Sequence, residues 1–213
     1  MNAEFPRQSR FYQRVGLPTL RVLLWPCITF WGPIRSSGSY RVPRTGGLLI
    51  LANHIADVDP PYLQLGCPRA THFMAKSELF AIPVLGSCMK WCGSFPVKRG
   101  EPDRAALRYA ISLLDQGEAL AVFPEGEASE TGELLPLKPG IALIARQTGV
   151  PIICCGIKGT NRILPYGSLI PRPSFRCARL NWGEPHAFTK ANSPEEILAW
   201  AEGQLRSLTD QER

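Results

Sequence analysis

Residues 46–53 read Gly-Gly-Leu-Leu-Ile-Leu-Ala-Asn, an apolar run of strand length that meets its first polar side chain at Asn53. A strand that alternates apolar and polar residues keeps one face wet, whereas one without alternation needs cover on both faces. The chain therefore needs helices on the two sides of a sheet. Further strand-like runs are predicted over residues 70–76, 93–97, 119–123, 151–157 and 175–182, and helices over 103–115 and 140–148. Residues 103–115 place Ala106, Leu107, Ala110, Ile111 and Leu114 on one helical face, with Asp103 as cap and Gly117 as exit. Ser193, Pro194 and Glu196 open a last helix in capping-box order. A helix after Asp59 is expected from Pro60 and Pro61, with Gly66 as its stop. Strands alternating with helices give an α/β fold, a mixed and mostly parallel sheet covered on both faces. The 213 residues suit a single domain.

The amino terminus has a different character. Seven arginines stand against Glu4 alone in residues 1–45, and residues 134–183 carry seven basic side chains and no acidic one. From residue 17 to 34 the chain is rich in Leu, Val, Trp and Phe, but Arg21 and three prolines interrupt it. A spanning helix needs about 20 apolar residues. An amphipathic helix lying on an anionic membrane surface fits this composition, and so does a helix packed on the body of the domain. Residues 1–40 are accordingly set apart as a membrane-surface segment, and 41–213 as the main domain. No cleaved signal peptide is apparent, which places the protein on the cytoplasmic side of the membrane as a peripheral or monotopic protein. Seven cysteines without paired spacing suggest reduced thiols, and no metal set is formed by His54, His72 and His186 at their spacing. His72 is expected as a packed side chain and His186 in a loop. No reader motif accompanies the basic blocks, so nucleic acid is not an expected partner.

Reactive groups in such sheets collect in loops beyond strand ends. After the first long strand come Asn53, His54 and, five residues on, Asp59. On a regular helix, positions five apart lie roughly 140° from each other, but a loop followed by a helix start can bring them together. A carboxylate holding one ring nitrogen of a histidine leaves the other free to accept a proton, which makes a general-base dyad. The same residues admit a plainer reading, with Asp59 as helix cap and His54 as a loop donor. A second cluster follows residues 119–123: Phe123-Pro124-Glu125-Gly126, then Lys138 before a helix. Between the two lie Lys98 and Arg99, adjacent cations at a strand end that suit a phosphate or a solvated turn.

In this order the segments resemble the glycerolipid acyltransferase family. The chain matches its NHxxxxD signature at Asn53, His54 and Asp59, its phosphate-contacting block at GSFPVKRG with Arg99 at the arginine position, and its FPEG motif at residues 123–126. The similarity runs over roughly residues 45–185 and includes VPII at residues 150–153. It implies a glycerol-phosphate acyltransferase-like fold and transfer of a fatty acyl group from acyl-CoA or acyl-ACP to a lysophospholipid hydroxyl, most naturally that of 1-acylglycerol-3-phosphate. In that reading His54 is the base and Asp59 orients it. Asn53, Lys98, Arg99, Glu125, Gly126 and Lys138 serve the substrate, and no cofactor is needed beyond the acyl-thioester donor, carried on coenzyme A or acyl carrier protein. Two departures bear on the acceptor. Ala56 stands where the family commonly has Ser, and EGEAS at residues 125–129 replaces EGTRS, so Ala128 takes an arginine position and Glu127 a threonine position. Lys138, Lys158 or Arg162 could supply the missing cation, or the acceptor could carry an amine or no phosphate. A non-catalytic membrane-surface lipid-binding protein is the competing function class.

Overall fold

In the computed structural model, which describes residues 17–98, 103–168, 170–174, 176 and 178–211, periodic patterning becomes alternating helices and strands. In chain order they are α1 (Leu17–Trp31), β1 (Ile34–Ser37), β2 (Leu48–Ala52), α2 (Asp59–Gly66), β3 (His72–Lys76), α3 (Leu85–Trp91), β4 (Ser94–Val97) and α4 (Arg104–Asp115). There follow β5 (Ala119–Val122), α5 (Gly140–Thr148), β6 (Pro151–Lys158), α6 (Thr160–Ile163), β7 (Ala178–Trp182), β8 (His186–Ala187) and α7 (Pro194–Leu208).

The strands form one sheet in the order β1-β7-β6-β2-β5-β3-β4, with β8 also against β6. Strands β2 to β6 all run in one direction, while β7 and β8 run antiparallel to β6. Every residue of β2 is buried, and its side chains divide between two cores. Leu49 and Leu51 pack with Leu113 of α4, Ile144 of α5 and Leu205 of α7. Leu48 and Ile50 pack on the other face with Leu63 of α2 and Trp182 of β7. Two-sided burial is thus why the run shows no alternation, and each such Leu or Ile contributes roughly 1.5–3 kcal/mol.

The predicted caps form. Asp103 accepts hydrogen bonds from the Ala105 and Ala106 N–H groups, and Ser193 and Glu196 make a reciprocal capping box at the start of α7. Three expectations need correction. Val58, not Asp59, occupies the cap position of α2, and no side chain caps it. Of the strand expected over residues 175–182, Ala178–Trp182 forms and Arg176 is a bend, with residues 175 and 177 outside the described residues. Residues 34–37, expected within the amino-terminal segment, are an edge strand paired with β7, so the sheet domain already includes them. Helix α1 packs through Ile28 and Trp31 against the patch of Tyr62 and Ile163. Its exposed side carries Val22, Leu23, Trp25 and Phe30, apolar where an amphipathic helix would be polar. Among the described residues no helix is long and apolar enough to cross a membrane.

Candidate active site

The shared direction of β2, β4, β5 and β6 puts the segments after them at one end of the sheet, the end beyond which ligands of such sheets bind. At the end of β2, Asn53 continues the ladder with its side chain. Its amide Nδ2 donates to the Ile157 carbonyl at 2.9 Å, and the Ile157 N–H donates to its Oδ1 at 2.6 Å. The backbone of β2 is thereby released to turn over the sheet end while staying tied to β6. Asn53 is buried and its amide is spent on that tie, so the expected substrate contact gives way to a positioning role. Asn53→Ala leaves a buried N–H and C=O of Ile157 without partners, and urea unfolding should show a loss of about 2–4 kcal/mol.

The backbone of His54 is held from both ends by the segment after β5. Its N–H donates to Glu125 Oε1 at 2.7 Å, and its carbonyl accepts from the Ser129 N–H at 2.8 Å. Its ring stacks on Phe123 with centroids 4.3 Å apart. Nδ1 lies 2.9 Å from Asp59 Oδ2, which also accepts from the Ile55 and Ala56 N–H groups at 2.7 and 2.9 Å. Two backbone donors and the ring nitrogen therefore converge on one carboxylate oxygen. Asp59 is fully buried and His54 is 6% exposed, so the pair is shielded from water that would loosen it. As the first residue of α2, Asp59 points back into the turn to reach these groups. Among the described residues Nε2 of His54 makes no hydrogen bond, which leaves it as the ring nitrogen available to a substrate.

Glu125 also changes role. Only 1% of it is exposed, and its second oxygen accepts from the Leu135 N–H at 2.8 Å. Both oxygens thus hold backbone, and the expectation that it shapes the acceptor pocket by contact is replaced by one in which it fixes His54. Burial pushes its pKa above the ordinary 4.5, against the opposing pull of the Leu135 and His54 N–H groups. The folded protein then keeps a proton that the unfolded chain has released. This contribution to stability is full below the ordinary value and is lost as pH rises through the folded one. The difference in urea midpoint between wild type and Glu125→Gln should narrow as pH rises above 4.5; a gap that widens with pH contradicts the sign.

Next to Phe123 lies a cavity of about 830 Å³ with apolar walls that include Val97, Leu107, Val122 and Ile144. Gly126 and the cations Lys98, Lys138, Arg104 and Arg146 also line it. Gly126 has φ +81, a left-handed turn that a side chain would strain, and a Cβ there would come within 3.4 Å of Lys138 Cε. Lys98 and Lys138, expected from sequence to serve the substrate, line this cavity, and Arg104 and Arg146 line it too. Arg99 lies outside the described residues. Lys158, one alternative cation, is paired with Asp210. Glu127 is exposed. A hydrogen bond and the charge of Glu130, with smaller effects of desolvation, Glu127 and Asp57, push the exposed Tyr166 hydroxyl pKa up. His72 is buried with Nδ1 3.0 Å from the Gly93 carbonyl oxygen, as a packed residue, whereas His186 sits in β8 and not in a loop.

The family model described as Acyltransferase matches residues 33–158. The chloroplastic 1-acyl-sn-glycerol-3-phosphate acyltransferase of Brassica napus is 36% identical over 120 residues, 55% of this chain and 35% of that protein. The 1-acyl-sn-glycerol-3-phosphate acyltransferase of Bacillus subtilis is 33% identical over 129 residues, 60% of this chain and 64% of that protein. The matched stretch therefore spans about a third of the first and under two thirds of the second. The crystal structure of the 1-acyl-sn-glycerophosphate acyltransferase of Thermotoga maritima superposes with a TM-score of 0.78 at 26% identity, covering 92% of this chain and 79% of that one.

Proposed function

The chain belongs to the acyltransferase family, and from that premise we propose that it transfers a fatty acyl group from acyl-CoA or acyl-ACP to the free hydroxyl of 1-acylglycerol-3-phosphate, giving phosphatidic acid. The observation that carries this reading is the 2.9 Å contact between His54 Nδ1 and an Asp59 oxygen already fixed by two backbone N–H groups. With Nδ1 so engaged, Nε2 takes the hydroxyl proton as the acceptor oxygen attacks the thioester carbonyl. A C–O bond forms, the C–S bond breaks, and the departing thiolate recovers the proton from the imidazolium. Asp59 stabilises that imidazolium while it exists.

Direct attack requires no Ser or Cys nucleophile, and the interior cysteines suit this. Burial pushes the Cys154 thiol up to about 12 and the Cys155 thiol well above its ordinary range, so both stay protonated and poor in nucleophilicity. The apolar cavity suits an acyl chain, and Lys98 and Lys138 suit the acceptor phosphate. Arg99, from the family resemblance, belongs with them in the proposal. The arginine-rich, apolar amino terminus would bring the protein to an anionic membrane surface on the cytoplasmic face, where such acceptors reside.

Glu127 at a threonine position and Ala128 at an arginine position of the family motif favour one second reading, an acceptor that carries an amine. A panel of lysophospholipids incubated with a labelled acyl thioester separates the two. Preference for 1-acylglycerol-3-phosphate is the expected result. Preference for an amine-bearing acceptor would reassign the head-group site, and transfer to none of them by folded protein would overturn the enzymatic reading in favour of lipid binding alone.

A further inference from the structure

The end of the sheet that carries His54 also carries exposed apolar groups that its chemistry does not use. After β3 a 3-10 turn (Ser77–Ala81) leads to a tip at residues 82–85, where Ile82 is 47%, Val84 75% and Leu85 42% exposed. Val84 has φ +67, a backbone conformation that β-branched residues rarely adopt and that costs stability where it is held. An apolar, strained side chain held out at a loop tip gains nothing for the fold. On the same end, residues 159–177 connect β6 to β7 and expose Ile170 at 75%. The end of α1, with Phe30 71% exposed, joins them through the Ser174 N–H, which donates to the Trp31 carbonyl. The strand directions fix this coincidence: β3 and β6 end where β7 and β1 begin. Residues 159–177 add Arg162, Arg172 and Arg176, while Glu130 hydrogen-bonds Tyr166 in the same segment.

We propose that the tip at residues 82–85 is a second membrane-inserting element, entering an anionic bilayer together with α1 so that the catalytic end of the sheet rests against lipid. The tip lies between Lys76 and Lys90, with Glu78 the acidic residue between them, and an apolar tip with such a basic surround matches the boundary between headgroups and acyl chains. Attachment at two separated points, unlike a single helix, fixes the orientation of His54 toward the bilayer. The proposal rests on the reading of a bilayer-resident acceptor.

The test measures partition of the full chain onto phosphatidylglycerol-containing vesicles, alongside turnover of a short-chain acceptor dissolved as monomers. Val84→Gly relieves the positive φ and removes the apolar group, so it should melt no lower than wild type yet bind vesicles roughly tenfold more weakly. Val84→Glu should bind more weakly still. Both should turn over the dissolved acceptor as wild type does. Tyr40→Ser serves as control: Tyr40 is 77% exposed but follows the far end of β1, and its loss should leave vesicle binding unchanged. Wild-type vesicle binding by the folded Val84 variants overturns the proposal, as does a loss of dissolved-acceptor turnover, which would tie the tip to the site itself. If wild type shows no His54-dependent turnover, the proposed function fails, while the vesicle measurement still decides for or against insertion.

Discussion

His54→Ala should lower kcat for acyl transfer by about 10³-fold or more while the protein remains folded. The geometry separates the two effects. What fixes residue 54 in the fold is its main chain, through Glu125 and Ser129, and alanine keeps both of those bonds. What the variant loses is the ring, with its stacking on Phe123 and its bond to Asp59. Asp59 retains two backbone donors, so its buried charge is not abandoned. The cost to stability should stay near 1–3 kcal/mol. The carboxylates that touch residue 54 are poor substitutes for the ring: Asp59 is buried behind it, and the Glu125 oxygens are occupied by backbone. KM for the acceptor should change little, because the proposed head-group contacts, Lys98 and Lys138, are untouched by the substitution. Steady-state kinetics together with a thermal melt check both halves, and a folded variant with near-normal kcat would remove His54 from the chemistry.

Asp59→Asn should cost about 10²- to 10³-fold in kcat, by a different route. Asparagine has nearly the same shape. Its carbonyl must take the position of Oδ2, because turning the amide there would face two backbone N–H donors and Nδ1–H with another donor. The hydrogen bonds can therefore survive, but the negative charge does not, and the imidazolium formed during transfer loses its partner. The amide nitrogen then replaces Oδ1, a buried atom with no partner among the described residues, which adds a modest stability cost. The expected pattern is a large fall in kcat, an acceptor KM close to wild type and a small drop in melting temperature. An Asp59→Asn protein with undiminished kcat would reduce Asp59 to a structural tie.

The elements legible in sequence are those whose burial or capping is written locally. Strand β2 shows its two-sided burial as an unbroken apolar run, and α4 and α7 announce their starts with Asp103 and with Ser193 and Glu196. Strand β1 has no such sign: Ile34 to Ser37 is mostly exposed, and it is a strand because β7, more than 140 residues later, offers an edge. Helix α3 is short and starts from the strained Val84 with no side-chain cap, so neither end is marked.

The site divides in the same way. The NHxxxxD spacing brings out His54 and Asp59, which do meet. Asn53 and Glu125 stand in the same motifs but act on backbone 104 and 71 residues away in sequence, Ile157 and His54 respectively. A motif marks which residues matter, not which way a side chain faces. The signal for Glu125 was its place beside Gly126 in a turn leaving a buried strand, where a carboxylate meets free N–H groups as readily as a substrate. Arg104 and Arg146 reach the cavity from different helices, and no local pattern joins them.

The most direct measurement of the central claim is the protonation of the His54 ring nitrogens by ¹⁵N NMR on histidine-labelled protein, at a pH where the ring is neutral. His54→Ala identifies its signals among the three histidines of the chain. The geometry requires a protonated Nδ1, donating to Asp59, and a bare Nε2 able to accept the hydroxyl proton. A proton found on Nε2 with Nδ1 bare would leave no base facing the acceptor and would contradict the account.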